Sequence, residues 1–521
     1  MAGAECYHLD AGVTTSSDAR RARTPQAAEG RRRFGAPGPL LGTAVAAFWG
    51  VLGAVGSATA QTLPDNSFAI DVFQGPILAP IRVTGIAGAY AGQAEGIPGM
   101  VTNAAAPAVR EADSTNFTEF DLAASVSIPL SIFERQDFDN SGRVDYEYSD
   151  FIYGSFGGMV QVGAIGVGAV SELSHYTLTE TAPAGAQVES TDVTLGRHHI
   201  LAAWRLLGDQ LMIGTGVRLA TLAIEPKESM FTLAGAAVQT GFLARPAFYP
   251  FRLGATLRFP VVAELIGEED TIEVGGVKRA GGLVLPNRVV LPWELEVGVA
   301  FQIGSRPLNP AWLDPHDQEA PVRRAIEARR ADRRAAQRAT LLAIKDPAAR
   351  EERARAIEAD ERLAVEEDKR AFEREARALK KQRRRRYWSW PRERVLLTAE
   401  ILVTGAVGRG VSLETFLGQN EEAYAGQGSA IGTSGKRVNF SPRFGIEAEP
   451  ILNLVQTRLG SYYEPNRFGG VGRQHFTFGA DLRLGPSTWW GLTPEVIYKL
   501  QASIDLSPRY ESVSFGIGTW R

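Results

Sequence analysis

The sequence predicts an all-β transmembrane protein, an antiparallel outer-membrane β-barrel of about 14 strands with an N-terminal plug and an inserted helical hairpin. Three observations lead there. From Phe120 to Trp520 the chain repeatedly spells segments of roughly ten residues in which apolar and polar side chains alternate, the period of a two-faced strand. No segment after the N-terminal export signal has about eighteen consecutive apolar residues, so helical spanning is excluded and a closed barrel is left as the way across a bilayer. Short and long connections alternate, the rhythm of short periplasmic turns and long extracellular loops.

The chain opens with polar, unpatterned residues from Met1 to Gly30, followed by Arg31-Arg32-Arg33, an apolar stretch from Leu40 to Val55, and Ala58-Thr59-Ala60. That order is a secretory signal with a small-residue cleavage site before Gln61, and it directs the mature chain to the cell outer membrane. A twin-arginine signal fits less well, because a barrel that inserts from an unfolded state uses the general export route. A retained anchor is disfavoured by a stretch too rich in glycine and alanine to span. Cys6 is the only cysteine, so cleavage leaves no thiol for disulfides or thiolate metal sites. The implied divisions are 1–60 leader and signal peptide, 61–115 plug, 116–304 first part of the barrel, 305–390 charged helical insertion and 391–521 second part of the barrel.

The plug follows from composition. Phe73, Ile77, Leu78 and Ile81 precede a run of small residues, too apolar for a tail, and small residues let backbone pack against backbone inside a barrel. The strands are expected at 118–128, 151–163, 166–178, 190–206, 210–224, 229–242, 251–265, 290–304, 393–406, 438–449, 454–464, 474–485, 491–504 and 510–520. In the clearest, Phe120, Leu122, Ala124, Val126 and Ile128 face lipid, as do Phe476, Phe478, Ala480, Leu482 and Leu484. A third run places Leu291, Trp293, Leu295, Val297, Val299 and Phe301 on the outer face. Charged residues at the alternate positions cannot sit in lipid, so they line a wet interior. Asp121, Glu294, Glu296, Glu400, Arg458, Asp481, Arg483 and Glu495 are accordingly expected in the lumen, forming salt-bridged ladders that hold plug to wall. Turns are expected at 163–166, 207–209, 245–250, 450–453 and 485–487.

One connection breaks the rhythm. Between Gly304 and Pro391 the chain turns rich in Ala, Arg and Glu, a long-helix composition, with helices expected at 319–345 and 347–386. Asp346-Pro347 supplies an N-cap and a proline at the first helical position. At 1.5 Å per residue the second helix is roughly 60 Å long and must project, on the short-turn, periplasmic side by strand parity. Residues 318–386 hold 22 Lys and Arg against 14 Asp and Glu, a surplus of eight, so the overall charge of -3 hides an acidic remainder. The run Arg383 to Arg386 meeting Tyr387, Trp388 and Trp390 reads as an interfacial girdle whose arginines pair with outer-membrane lipid and lipopolysaccharide phosphates. Nucleic-acid binding is set aside, since only Phe372 interleaves the basic residues and the compartment is wrong. The hairpin is either a docking arm for a periplasmic protein or cell-wall partner, or a solvated, salt-bridged spacer.

The sharpest local motif is Asp137-Phe138-Asp139-Asn140-Ser141-Gly142-Arg143-Val144-Asp145. Asp137, Asp139, Ser141 and Asp145 as oxygen ligands, with the Arg143 carbonyl, match a calcium loop, although Tyr148 stands where a bidentate carboxylate belongs. A polar Asx-rich turn is the alternative, and no other cofactor is implied. No catalytic set emerges, and the protein reads as a non-enzyme: His198 and His199 are adjacent on a strand and point to opposite faces, so with His175 they do not share one ligand sphere.

With Gly85, Gly88, Ala89 and Tyr90 in the plug, then Asn103, Pro107 and Ala108, the sequence resembles the FadL-like outer-membrane transport proteins. Their mature N-termini commonly carry a Gly-x-x-Gly-Ala-Tyr element followed by an Asn-Pro-Ala element; here three alanines separate Asn103 from Pro107-Ala108. Tyr510 to Trp520 looks like the aromatic terminal strand read by barrel-assembly machinery, with Arg521 as a departure. The resemblance implies a fourteen-stranded plugged channel for a hydrophobic or amphipathic small molecule, with exit through the wall. The alternative is a non-transporting structural or secretion-associated protein whose hairpin docks an envelope partner.

Overall fold

The computed structural model describes residues 66–110, 114–129, 137–141, 146–180, 190–225, 231–266, 272–280, 283–391, 393–417, 433–487 and 496–519. The export signal, Cys6, Arg143, Asp145, Glu495 and Arg521 lie outside them. In chain order the strands are β1 (Ala69–Asp71), β2 (Thr118–Pro129), β3 (Tyr146–Val162), β4 (Ile165–Glu180), β5 (Ser190–Leu206), β6 (Leu211–Glu225), β7 (Phe231–Ala244), β8 (Phe251–Arg258) and β9 (Val261–Ile266). A small three-stranded sheet follows in β10 (Ile272–Val274), β11 (Val277–Ala280) and β12 (Leu283–Val284). The wall resumes with β13 (Arg288–Leu291), β14 (Glu294–Ile303) and β15 (Val395–Thr404). After the short β16 (Gly410–Ser412) and β17 (Thr433–Ser434) it ends with β18 (Asn439–Ile451), β19 (Val455–Glu464), β20 (Arg473–Ser487), β21 (Val496–Ser507) and β22 (Tyr510–Thr519).

With β8 and β9 as one interrupted strand and β13 and β14 as another, fourteen antiparallel wall strands pair each with the next, and β2 pairs with β22 to close the cylinder. Closure leaves no free edge strand in the ring. Phe120, Leu122, Val126, Phe444, Phe476 and Phe515 stand exposed on the outside, an oily belt that only lipid or detergent would cover.

The third predicted outward run fails at its start. Pro292 has no N–H, the ladder stops there, and Leu291 turns into the interior while Trp293 packs onto Gly405, where an added Cβ would lie 2.2 Å from the indole Nε1. Pro260 breaks the neighbouring strand between β8 and β9 in the same way. Beyond the break β13 no longer faces β15; β1 lies between β13 and β16, parallel to both, and completes the wall. A second correction concerns the turn expected at 485–487: β20 runs to Ser487 and β21 starts at Val496.

The insertion is helical as composition demanded, in α3 (Pro315–Ala343) and α4 (Pro347–Trp388), counted after the short plug helices α1 (Ile81–Gly85) and α2 (Gly96–Met100) and before α5 (Leu413–Leu417). The Asp346 carboxylate caps α4, accepting from the Ala349 N–H at 3.2 Å. The first helix starts at Pro315 rather than 319, with Asp314 accepting from the His316 N–H at 2.8 Å. Where the helices face each other, Arg333 and Arg330 hold Asp368 at 2.6 and 2.9 Å. Residues 305–314, taken from sequence as part of the arm, instead pack under the barrel: the Asn309 amide donates to the Pro246 and Phe251 carbonyls, and the Arg245 guanidinium donates to the Pro310 carbonyl at 2.8 Å. Trp312 lies between Arg110 and Arg205, whose guanidiniums stand 4.5 and 4.4 Å from its ring.

Candidate functional site

The plug runs from β1 through the lumen to Arg110, and the wall is shaped to receive its backbone. An added Cβ at Gly166 would lie 1.8 Å from the Pro107 carbonyl oxygen, at Gly214 2.0 Å from that of Ala104, and at Gly254 2.0 Å from that of Ala91. Gly85 and Gly479 meet backbone to backbone, a Cβ on Gly85 falling 3.2 Å from the Gly479 Cα. These inward glycines are a docking groove for a chain that fills the pore at backbone distance.

Each motif residue of the plug is buried there. Gly88 has φ +73°, and a Cβ on it would lie 2.8 Å from the Arg443 Nη1, so conformation and space both require glycine. Ala89 donates to the Ile86 carbonyl within the same turn. The Tyr90 hydroxyl donates to the Glu95 carbonyl, and the Arg82 guanidinium stands 5.2 Å from its ring. The Asn103 amide donates to the carbonyls of Ala91 and of Phe242 on β7, both at 2.9 Å, tying plug to wall. Gln161 on β3 donates to the Pro107 carbonyl at 2.8 Å, and the Ala108 N–H donates to Ala105.

The ladder residues form a cross-strand girdle. Glu294 meets Arg218 at 2.6 Å and Arg258 at 3.4 Å; Arg258 meets Glu296 at 3.2 Å; Arg443 meets Glu296 at 3.7 Å and Glu400 at 3.0 Å. Glu400 also accepts the plug's Ala91 N–H at 2.7 Å. The chain continues through Arg458, which holds Glu447 at 2.7 Å and Asp481 at 2.5 Å, and Lys499 meets Asp481 at 2.7 Å. Plug residues close the arc: Arg82 bridges Glu447 and Glu95, and Arg252 on β8 reaches Glu95 at 2.8 Å. Asp121 faces inward at the short-turn end. Arg483 departs from the expectation: it lies at the rim, 5.7 Å from the Trp388 ring, donating to the Asn453 carbonyl.

Sequence reasoning missed several buried partners. His475 is fully enclosed between Glu464 at 2.7 Å and Asp505 at 2.9 Å, and Arg467 on the loop after β19 clamps Asp71 of β1 at 2.8 Å. The expected strand ended at 504, one residue short of Asp505; loop residues such as Arg467 carry no strand parity to reveal them. His199 turns inward toward Glu172 and Gln239, whereas His198 pairs with Ser171 on the other face.

The long-loop half of the lumen departs from the wet interior that alternation implied. There the inward residues of β3 to β6 are Phe151, Tyr153, Tyr176, Leu178, Val193, Leu195, Leu222 and Ile224, packed with Phe68, Ile70 and Val72 of the plug. A plug that brings apolar side chains makes inward apolar residues favourable, at about 25 cal/mol per Å² buried. At this end a cavity of about 40 Å³ has a mixed lining, with Phe73, Phe138, Tyr176, Leu195, Leu413 and Phe468 beside Asp71, Gln74, Asp139, Ser412, Glu414, Ser434 and Arg467. Asp137 and Asp139 both accept from the Ser141 N–H at 3.0 Å, and Asp137 also meets Arg509 at 3.3 Å. Burial, and next to it the Glu414 carboxylate, pushes Asp139 up to about 7. Among the described residues no three His, Cys, Asp or Glu side chains stand close enough together to hold a metal ion.

No protein-family model and no curated protein matches the sequence. Solved structures with a similar course of chain include the toluene transporter TodX of P. putida, at 11% identity over 81% of this chain and 93% of that chain, TM-score 0.38. A FadL homologue from Pseudomonas aeruginosa is similar at 10% identity over 89% and 98%, TM-score 0.38. The resemblance is to FadL-like channels. The CymD monoaromatic hydrocarbon channel follows at 8% identity over 86% and 98%, TM-score 0.35. At such distances the barrel stands on its own strand pairing, closed between β2 and β22.

Proposed function

We propose that this protein is a plugged outer-membrane channel that passes hydrophobic or amphipathic small molecules, with its short turns and helical arm in the periplasm and its long loops outside. The observation that supports it best is the apolar, aromatic interior of the long-loop half, next to a cavity whose lining is amphipathic, Phe73, Phe138 and Leu413 with Asp139, Glu414 and Arg467. A purely structural barrel needs no aromatic face at its outer mouth, whereas an amphipathic solute leaving water gains by burying its apolar part against one. The seam beside β1 supports an exit through the wall, since there a plug strand of only three residues stands between β13 and β16. Displacing it would part β13 from β16 without breaking the long ladders elsewhere.

The test is uptake of a labelled monoaromatic hydrocarbon by cells making the wild-type chain, Phe138→Asp, or a chain in which 319–379 is replaced by a short linker. Wild type should accelerate uptake, Phe138→Asp should slow it at least tenfold, as expected for a charge placed in an apolar site, and loss of the arm should spare it. Uptake equal to that of cells lacking the protein would reject the channel. Retained uptake with loss of an envelope phenotype on arm deletion would favour the docking role for the hairpin.

A further inference from the structure

At the short-turn end, between the plug and the segment 306–310, lies a second chamber of about 110 Å³ with a different chemistry. Seven cationic side chains line it against two carboxylates, Glu95 and Asp121. Five of the seven have carboxylate partners within ion-pair distance: Arg82 and Arg394 on Glu447, Arg252 on Glu95, Lys499 on Asp481 and Arg110 on Glu119. Among the described residues the remaining two, Arg245 and Arg306, meet no carboxylate within 4.0 Å. Arg306 donates to the Tyr387 hydroxyl at 3.0 Å. Arg245 is 3% exposed, its one acceptor is the Pro310 carbonyl, and its Nε is buried without a partner.

A guanidinium in that position is unfavourable unless a counter-charge joins it. Burial, reinforced by Arg252 and only partly offset by the more distant carboxylates of Asp209 and Glu95, pushes Arg245 down to about 10. The planar fork of arginine matches oxyanions, and two forks on one small cavity fit a group with several oxygens better than chloride.

We propose that this chamber is an oxyanion-binding site in which Arg245 and Arg306 hold a phosphate or carboxylate group. The oxyanion is either a free ion or the head group of an amphiphile. This does not depend on transport, because binding is read on the purified barrel alone.

The experiment is calorimetric titration of the full-length protein in detergent with inorganic phosphate, hexyl phosphate and hexanol, with chloride at matched ionic strength as the control. Phosphate or hexyl phosphate should bind and hexanol should not. Binding of both anions names the free ion as sufficient, and binding of hexyl phosphate alone names the head group. Arg245→Gln and Arg306→Gln should each weaken binding about tenfold or more, as loss of a charge-assisted hydrogen bond predicts. Arg306→Gln, on the connecting segment, guards against a folding failure at the more buried site. No anion bound by wild type, an identical response to chloride, or unchanged affinity in folded Arg306→Gln and Arg245→Gln would overturn the proposal.

Discussion

Arg458 is the most demanding residue of the girdle, and removing it gives the most direct test of how plug and wall are held. The side chain is fully buried, with Nε on Glu447 at 2.7 Å and Nη1 and Nη2 on the two Asp481 oxygens at 2.5 and 2.9 Å. Arg458→Met deletes the shared cation and leaves two carboxylates in the interior. Breaking a buried pair costs about 3–5 kcal/mol when one charge is stranded. Here Glu447 keeps Arg82 and Arg394 and Asp481 keeps Lys499, which places the loss near the lower bound, about 3 kcal/mol. The assay is urea unfolding of the detergent-solubilised barrel, followed by the shift in electrophoretic mobility between folded and heated samples. A single variant within about 0.5 kcal/mol of wild type, the range of an ordinary surface substitution, would refute the reasoning.

Filling the groove should loosen the plug: Gly166→Val and Gly214→Val each place atoms within 2.0 Å of plug carbonyls and should cost at least the 1–3 kcal/mol of ordinary overpacking, roughly, while Gly154→Ala, with nothing within 4 Å, should be silent in the same unfolding assay. Asp139 sits at about 7, above its unfolded value near 3.9, so the folded state holds a proton that the unfolded state releases. Its contribution is complete below about pH 4 and is lost as pH rises through 7; melting curves across that window should fall for wild type and flatten in Asp139→Asn, and parallel curves would exclude the assignment. In the arm, Asp368 is held down to about 2 by the hydrogen bonds from Arg333 and Arg330, so this link survives acid until pH falls below about 4 and toward 2. Asp368→Asn should therefore increase proteolytic cleavage between the helices at neutral pH, and equal cleavage of both chains would count against it. Trp312→Ala removes the ring between Arg110 and Arg205 and should raise protease cleavage around 305–314, leaving strand pairing intact.

Much of this architecture is local, and therefore legible in the residues. A strand buried on one side must alternate, so runs such as Phe120 to Ile128 declared both their conformation and their outward face, and strand parity put the arm on the short-turn side. Asp346-Pro347 set the start of the long helix because capping and the fixed φ of proline act within one turn. Gly88 and Tyr90 could be singled out by the resemblance of the plug to the Gly-x-x-Gly-Ala-Tyr element, and Glu400 and Arg458 by parity, but not their partners. What alternation could not supply was the content of the lumen, because a side chain's inward direction says nothing about what meets it there. The plug decided that: its apolar segment made the long-loop half dry, its backbone demanded the wall glycines, and β1 filled the seam left by Pro292. Pairings such as Arg467 with Asp71, almost four hundred residues apart in sequence, exist only once the cylinder closes around a threaded chain. Periodicity is a property of neighbours along the backbone and survives in the sequence, whereas which charges and which oily faces meet inside is fixed by closure, which brings distant segments together.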